Sequence, residues 1–421
     1  MEALLTTISI ILFILAAMTG LYWSFAIIKI VRSVGSVPTA RAGLTIAAPE
    51  GGWPSVCVVI PAHNEQDVIG DLVTSLLAQD YPNLRLVFAL DRCTDETERI
   101  IRELCWNNDR VEIAIIDECP DDWAGKTHAA HCGVTRSQAG KDAELLLFAD
   151  ADTIFDPGCV RACVGLLLQR DVDLLSLLST LRCEHWWEQV AQPVAAFELL
   201  RHFPIASVNR KDNGRAFANG QFMLFRRDAY ERIGGHESVK SELLEDIALA
   251  RALRKSQRRT GEGRGIALLV ADGMLLCRMY ATWEAFRRGW KRIYTEASTR
   301  QSRRLRRWST QLLLMSGVGP ATLPFAIVFG GADLFHGDPT IMEWMMFALA
   351  LAALFITAVA IAAIHRLQRA ALWSVLTHPF GAWLVSAIER EAAADLANRR
   401  AIEWGGRAYV RDEVAPDRAP Q

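Results

Sequence analysis

Asp150-Ala151-Asp152 follows the apolar run Leu145-Leu146-Leu147-Phe148-Ala149. Five hydrophobic residues ending in two carboxylates read as a buried strand that delivers acids to its open end. Residues two apart on a strand point the same way, so both carboxylates can converge on one cation. In open α/β sheets, ligands bind outside the carboxyl ends of strands. A hard divalent cation with phosphate oxygens suits such a site. Alone, two aspartates are as readily a solvated turn, but this pair has company. The apolar stretch 56–60 runs into Pro61-Ala62-His63-Asn64-Glu65, and 84–90 runs into Asp91-Arg92-Cys93-Thr94-Asp95. Three strand ends carrying Glu65, Asp91 and the Asp150/Asp152 pair imply one shared crevice. Glu65 can accept hydrogen bonds from a base edge while a helix N-terminus supplies amide donors. Asn64 can also be an ordinary helix cap.

Further motifs extend the set. Trp123-Ala124-Gly125-Lys126 precedes a helix, where backbone amides and one ammonium can meet phosphate. It is not a Walker A loop, and Lys126 can equally be a surface lysine. Asn219-Gly220-Gln221 reads as a turn into a strand, with a glycine that permits close approach of backbone to ligand. His236 follows Gly234-Gly235 and is the histidine expected to touch substrate, whereas His63, His128 and His131 read as structural. Glu245-Asp246 stands at the start of a helix over 242–255. Asp246 is a candidate general base, or else a first-turn carboxylate favoured by the helix dipole.

The elements that must position these residues alternate. Strands are expected at 56–60, 84–90, 111–116, 144–149 and 174–180, with helices at 65–79, 94–107, 126–138 and 157–169. This order predicts an α/β, Rossmann-like, mostly parallel sheet with right-handed crossovers. The formal charge of −2 over 421 residues gives no basic field for nucleic acid. Hydrophobic residues make up 51% of the chain, enough to look for membrane segments. Stretches 3–28, 311–332 and 344–364 carry no charged residue and are long enough to cross a bilayer. The first lacks a basic n-region and a cleavage site, so a retained anchor is expected over a signal peptide. Stretch 371–388 is broken by His378-Pro379 and reads as a span, a re-entrant or an interfacial segment. The stripe Trp283, Phe286, Trp290, Ile293, Tyr294 and Ala297, flanked by Arg287, Arg288, Lys291 and Arg292, reads as a helix lying on an anionic membrane. Basic residues Lys29, Arg32, Arg41, Arg303, Arg304, Arg306, Arg307, Arg366 and Arg369 put the central domain in the cytoplasm, beneath the inner membrane. Nine cysteines without a C-x-x-C pair suit reduced thiols. The expected units are an anchor (1–32), a catalytic domain (53–280), the interfacial helix (281–308), a membrane region (309–390) and a cytoplasmic tail (391–421).

In this order and spacing, the motifs resemble the membrane-bound family 2 glycosyltransferases with a GT-A fold, over about 56–294. Pro61 to Glu65 match the P-A-x-N-E opening, and Asp91 with Thr94-Asp95 the second-strand aspartate motif. Asp150-Ala151-Asp152 matches the D-x-D, Asn219-Gly220-Gln221 the G-Q element, and Glu245-Asp246 the E-D base motif. Trp404-Gly405-Gly406-Arg407-Ala408-Tyr409 looks like the family's W-x-G-R-x-Y ending. The resemblance implies that Pro61, Glu65 and Asp91 hold the nucleotide base of a nucleotide-sugar, with Lys126 and Asp150 at phosphate or ribose. It implies Asp152 as ligand to Mg²⁺ or Mn²⁺, and Asp246 as the base that deprotonates an acceptor hydroxyl for inverting attack. Asn219, Gly220, Gln221, His236, Glu245 and Trp290 would surround the donor sugar and acceptor. Processive relatives carry Q-x-x-R-W; here the region reads Phe286-Arg287-Arg288-Gly289-Trp290, with no glutamine in place. A single transfer to a membrane lipid is therefore expected, as in hopanoid-associated and carotenoid-type members. A processive polysaccharide synthase, a nucleotidyltransferase releasing pyrophosphate and a silent membrane scaffold are the alternatives. UDP is the default nucleotide by resemblance, with GDP the other choice.

Overall fold

The computed structural model describes residues 2–36, 39–210, 214–335, 341–404 and 407–414. The chain opens with a long helix, α1 (Glu2–Ser36), and then enters an alternating unit. That unit runs β1 (Val56–Ala62), α2 (Ile69–Leu77), β2 (Leu84–Asp91), α3 (Thr97–Leu104), β3 (Val111–Ile116), α4 (Gly125–Arg136), α5 (Gln138–Asp142) and β4 (Leu145–Phe148). It continues through β5 (Thr153–Phe155), α6 (Cys159–Arg170), β6 (Leu174–Leu178), β7 (Thr180–Leu181), α7 (Trp186–His202) and α8 (Ile205–Val208). Next come β8 (Met223–Arg226), α9 (Arg227–Arg232), α10 (Glu245–Thr260), β9 (Ile266–Val270) and β10 (Leu275–Cys277). The remainder is helical: α11 (Trp283–Ala297), α12 (Ser302–Leu312), α13 (Gly319–Phe335), α14 (Ile341–Leu367) and α15 (His378–Ala397). A small hairpin, β11 (Ile402–Trp404) with β12 (Arg407–Tyr409), follows.

Seven strands form one sheet in the order β3-β2-β1-β4-β8-β6-β9, and only β8 runs against its neighbours. Val56 to Ile60, Leu145 to Leu147 and Leu174 to Leu177 are buried, which is why these strands read as unbroken apolar runs: helices cover both faces. The mostly parallel sheet of the GT-A expectation is present. Chain order reverses between β1 and β4, whose carboxyl ends therefore open a crevice. A second sheet, β5-β10-β7, sits just beyond β4. It alters one expectation. β4 stops at Phe148, so Asp150 and Asp152 occupy the turn into β5 instead of alternating along a strand. That turn is fixed by Thr153, whose hydroxyl donates to Asp150 O at 2.7 Å, and by Arg278 N, which donates to Asp152 O at 3.0 Å.

Among the described residues, three helical segments are long and apolar enough to cross a bilayer: Thr7–Arg32, Ser302–Gly331 and Ile341–Leu367. α1 packs against α13 and α14, and Trp23 Nε1 donates to Met315 O at 3.0 Å. The stripe on α11 behaves differently from its expectation. Phe286, Trp290, Tyr294 and Ala297 are buried with α7, α12 and α15, so protein covers the face that composition assigned to membrane. Hydrophobic periodicity marks a face that leaves water; it does not say what replaces the water. The broken stretch 371–388 becomes a short turn, Leu372–Val375, and the first half of α15. Leu372, Trp373, Leu376, Phe380 and Trp383 stay exposed there.

Candidate active site

The strand-end loops are knitted to one another before any ligand is considered. Asn64 takes a left-handed conformation (φ 56°), and its Oδ1 accepts from Thr94 N at 2.8 Å. Asn64 is thus a bridge between β1 and β2 ends, not the cap of α2, which begins at Ile69. Asp95 accepts from Gln66 N and Thr97 N, and Thr97 Oγ1 accepts from Glu65 N at 2.8 Å. These bonds fix Pro61 and Glu65 at the mouth of β1. Asp91 is only 3% exposed, and Arg92 donates to both of its oxygens at 2.8 and 2.7 Å. A ligand reaches Asp91 only through, or in exchange for, that guanidinium.

Lys126 is the hub. Its Nζ lies 2.6 Å from Asp150 Oδ1 and 2.7 Å from Glu245 Oε1, joining the turn after β4 to the start of α10. Burial works against the ammonium, but Asp150, Glu245 and Asp246 hold its pKa above the ordinary lysine value. Beside it, Asp246 Oδ2 accepts from Gly220 N at 2.8 Å and Oδ1 from Ile247 N at 2.7 Å. A Cβ on residue 220 would stand 3.1 Å from Lys126 Nζ and 3.3 Å from Asp246 Oδ2, so glycine is what lets the backbone amide approach the acid. Asn219 Nδ2 ties this turn to Leu177 O, and Gln221 reaches Ser179 and Cys277.

The carboxylates compete for limited neutralisation. Burial, then Glu245, pushes Asp246 up to about 6 despite Lys126. Burial and Asp150 raise Asp152 to about 7, and burial with Asp152 and Asp150 raises Glu65 to about 8. Excess negative charge in a crevice is the setting for a cation. Asp152 Oδ1 is buried without a hydrogen-bond partner among the described residues. No group of three His, Cys, Asp or Glu side chains among them is arranged to hold a metal ion by itself, so a Mg²⁺ or Mn²⁺ here would take most of its oxygens from substrate and water. The residues fit such an ion.

His236 departs from its expectation. The turn at Gly234 and Gly235 (φ 78° and 52°) folds it inward, fully enclosed, with Nδ1 2.8 Å from Tyr230 Oη and its ring on Phe148. Burial and nearby Lys126 push its pKa down to about 3. It is a neutral prop behind the wall, out of reach of substrate. Trp290 is buried to 3% on the wall itself, its Nε1 donating to Gln192 Oε1 at 3.4 Å. Of the expected C-terminal motif, Gly405 and Gly406 lie outside the described residues, while Tyr409 Oη accepts from Gly125 N at 3.4 Å.

A cavity of about 590 Å³ begins at Lys126, Asp150, Glu245 and Asp246. It continues along α7 past Ala196 and Phe197 and ends on Tyr22 and Phe25 of α1 and Ile364 and Leu367 of α14. None of those helix residues was legible as a site residue. Gln192, a polar side chain inside an apolar helical stretch, was the one available signal.

The structure thus has an acid-lined crevice at the switch point of a mostly parallel α/β sheet, opening into a cavity beside helices long and apolar enough to cross a membrane. The chain belongs to the glycosyltransferase like family 2, whose model matches residues 54–309. It is 26% identical over 243 residues to a 4,4'-diaponeurosporenoate glycosyltransferase of Staphylococcus aureus (strain bovine RF122 / ET3-1), covering 56% of this chain and 60% of that protein. The corresponding protein of strain USA300 is 27% identical over 241 residues, with the same coverage. The chain thus spans about 60% of the length of the curated relatives it matches. Among solved structures, the mannosyltransferase PcManGT of Pyrobaculum calidifontis, in complex with GDP-Man and Mn²⁺, aligns at 17% identity and TM-score 0.48, over 92% of this chain and 99% of that one. TarS 1–349 of S. aureus, in complex with UDP-GlcNAc, aligns at 12% and 0.41, over 85% and 96%.

Proposed function

We propose that this protein transfers a single sugar from a nucleotide-sugar, with UDP as the default nucleotide, to a hydroxyl of a membrane lipid, inverting the anomeric carbon. The observation that carries the reading is the cavity: one end holds Lys126, Asp150, Glu245 and Asp246, the other is walled by the lipid-length helices α1 and α14. An apolar acceptor in that cavity brings its polar head to the acids without leaving an apolar environment.

Glu65, Pro61 and Asp91 take the base side of the donor, and Lys126 with Asp150 takes the ribose and phosphates. Asp152 would hold the divalent cation, which when bound offsets charge on the departing nucleoside diphosphate. Asp246 removes the acceptor proton; Gly220 N–H and Ile247 N–H hold its carboxylate in place, and Lys126 favours the ionised form. Trp290, Asn219 and Gln221 bound the space for sugar and acceptor head. The placement is cytoplasmic. The basic residues flanking the spans support that side, and the contacts of Tyr409 with Gly125 and of Arg411 with Ser241 O fit an even number of spans between the sheet domain and the tail.

The test is direct. Purified full-length protein is incubated with UDP- and GDP-sugars, Mn²⁺ or Mg²⁺ and membrane lipids, and released nucleoside diphosphate and glycolipid are measured. Lipid-dependent, metal-dependent release that disappears in Asp152→Ala supports the reading. Pyrophosphate release, or product that lengthens with time, replaces it with nucleotidyl transfer or polymer synthesis.

A further inference from the structure

Within the cavity, two side-chain amides are left half-satisfied. Gln192 is 4% exposed; its Oε1 is taken by Trp290 Nε1, and its Nε2 is buried with no partner among the described residues. Gln368 donates its Nε2 to Pro193 O at 3.0 Å, and its Oε1 is likewise buried and unpartnered. Both residues line the cavity, and Gln368 bonds the carbonyl of Pro193, the residue that follows Gln192 in α7. The Trp290 bond fixes which end of the Gln192 amide is oxygen, and the Pro193 bond does the same for Gln368. One free donor and one free acceptor therefore stand in a wall that is otherwise mostly apolar.

A buried amide group without a partner costs stability, and native proteins rarely keep one unless something else supplies the bond. A lipid group that answers a donor and an acceptor together is a hydroxyl, which accepts and donates at once; a carboxylate or a keto oxygen only accepts. Gln368 immediately follows α14, at the membrane end, whereas Asp246 stands at the sheet end of the same cavity. We infer that Gln192 and Gln368 form a second polar subsite that reads a hydroxyl on the body of the acceptor lipid, apart from the hydroxyl presented to Asp246. The acceptor is then a lipid carrying at least two hydroxyls. This rests on the lipid-transfer reading above.

The experiment compares two apolar alcohols of equal length in detergent micelles, one bearing a single terminal hydroxyl and one bearing a second hydroxyl further along. The unaltered enzyme should use the diol with kcat/KM about tenfold above the mono-ol, the scale of one buried hydrogen bond in a shaped site. Gln192→Met, which keeps the side-chain volume but removes both the donor and the oxygen that holds Trp290, should abolish the diol preference, so that the two alcohols are used at the same rate. Gln368→Met removes the free acceptor without touching the oxygen that holds Trp290; it should lose the diol preference too, whereas a role limited to propping Trp290 would leave that preference intact. Equal use of both alcohols by the unaltered enzyme overturns the inference while the lipid-transfer reading stands. A Gln192→Met protein that falls equally on both alcohols also overturns it. Failure to glycosylate any lipid alcohol removes the underlying reading, and this subsite with it.

Discussion

The charged crevice and the mostly apolar cavity meet at Asp246 and are built on opposite principles. The crevice gathers short loops at the carboxyl ends of β1, β2 and β4, each following its strand within a few residues. Its side chains are mostly charged, and they hold one another through Lys126 and through bonds from backbone amides. The cavity takes its wall from α1, α7, α14 and the start of α10, which are far apart in the chain. Its side chains are mostly apolar and carry almost no chemistry individually. A strand end fixes a polar residue by local geometry, so a charged site can be written in motifs. A cavity between helices depends on how distant surfaces pack, so it is written nowhere in particular.

The comparison breaks most sharply at the residue the two regions share. Asp246→Asn keeps an oxygen for Gly220 N–H but loses the base, and kcat should fall by about 10² to 10⁴ with nucleotide-sugar affinity retained. Isothermal titration beside a turnover assay separates the two, and unchanged turnover would remove Asp246 as base. Ala196→Trp places an indole in the middle of the cavity. Lipid kcat/KM should drop at least tenfold, a loss of about 1.4 kcal/mol, while donor binding stays as it was. Loss of donor binding instead would mean the two regions are not separable. Gly220→Ala tests their junction: its Cβ crowds Lys126 and Asp246 together. Displacing the base should lower kcat about tenfold, less than the ~10²-fold that a full 1 Å misplacement can cost. The smallest effect is in pH. Asp246 must be ionised to act, and burial beside Glu245 lifts its pKa to about 6. Acceptor kcat/KM should therefore be level above that value, about half at pH 6, and fall roughly tenfold per unit below it. A profile flat to pH 4.5 would contradict this assignment.

The same contrast explains which readings survived contact with the structure. The alternation of apolar runs and helical stretches located five of the seven sheet strands to within two residues, because buried parallel strands have no exposed face to interrupt the pattern; β8 was legible only as a turn into a strand, and β9 was not read. Glu65, Asp150, Asp152, Lys126, Gly220 and Asp246 do come together at one end of that sheet. His236 failed for lack of local information: its neighbours Gly234 and Gly235 announce a turn but not its direction, and the turn sends the ring under Tyr230. The α11 stripe failed because an apolar face is equally suited to lipid and to α7 and α15. Asp150 and Asp152 converge for a reason other than strand alternation, since β5 and β10 bend the chain immediately after Phe148.

By itself, the sequence determined the strand order's raw material, the three membrane-length segments, the acids at the strand ends and the glycine that lets backbone reach Asp246. These are local properties, set by hydrophobic period, chain length and the conformational limits of single residues. Only the tertiary structure decided that Lys126 bridges Asp150 and Glu245, that Arg92 occupies Asp91, and that Gln192 and Gln368 line one cavity with a donor and an acceptor unmet among the described residues. Each of those depends on where two distant segments touch, and contact between distant segments is fixed by packing of the whole chain and not by any window of it.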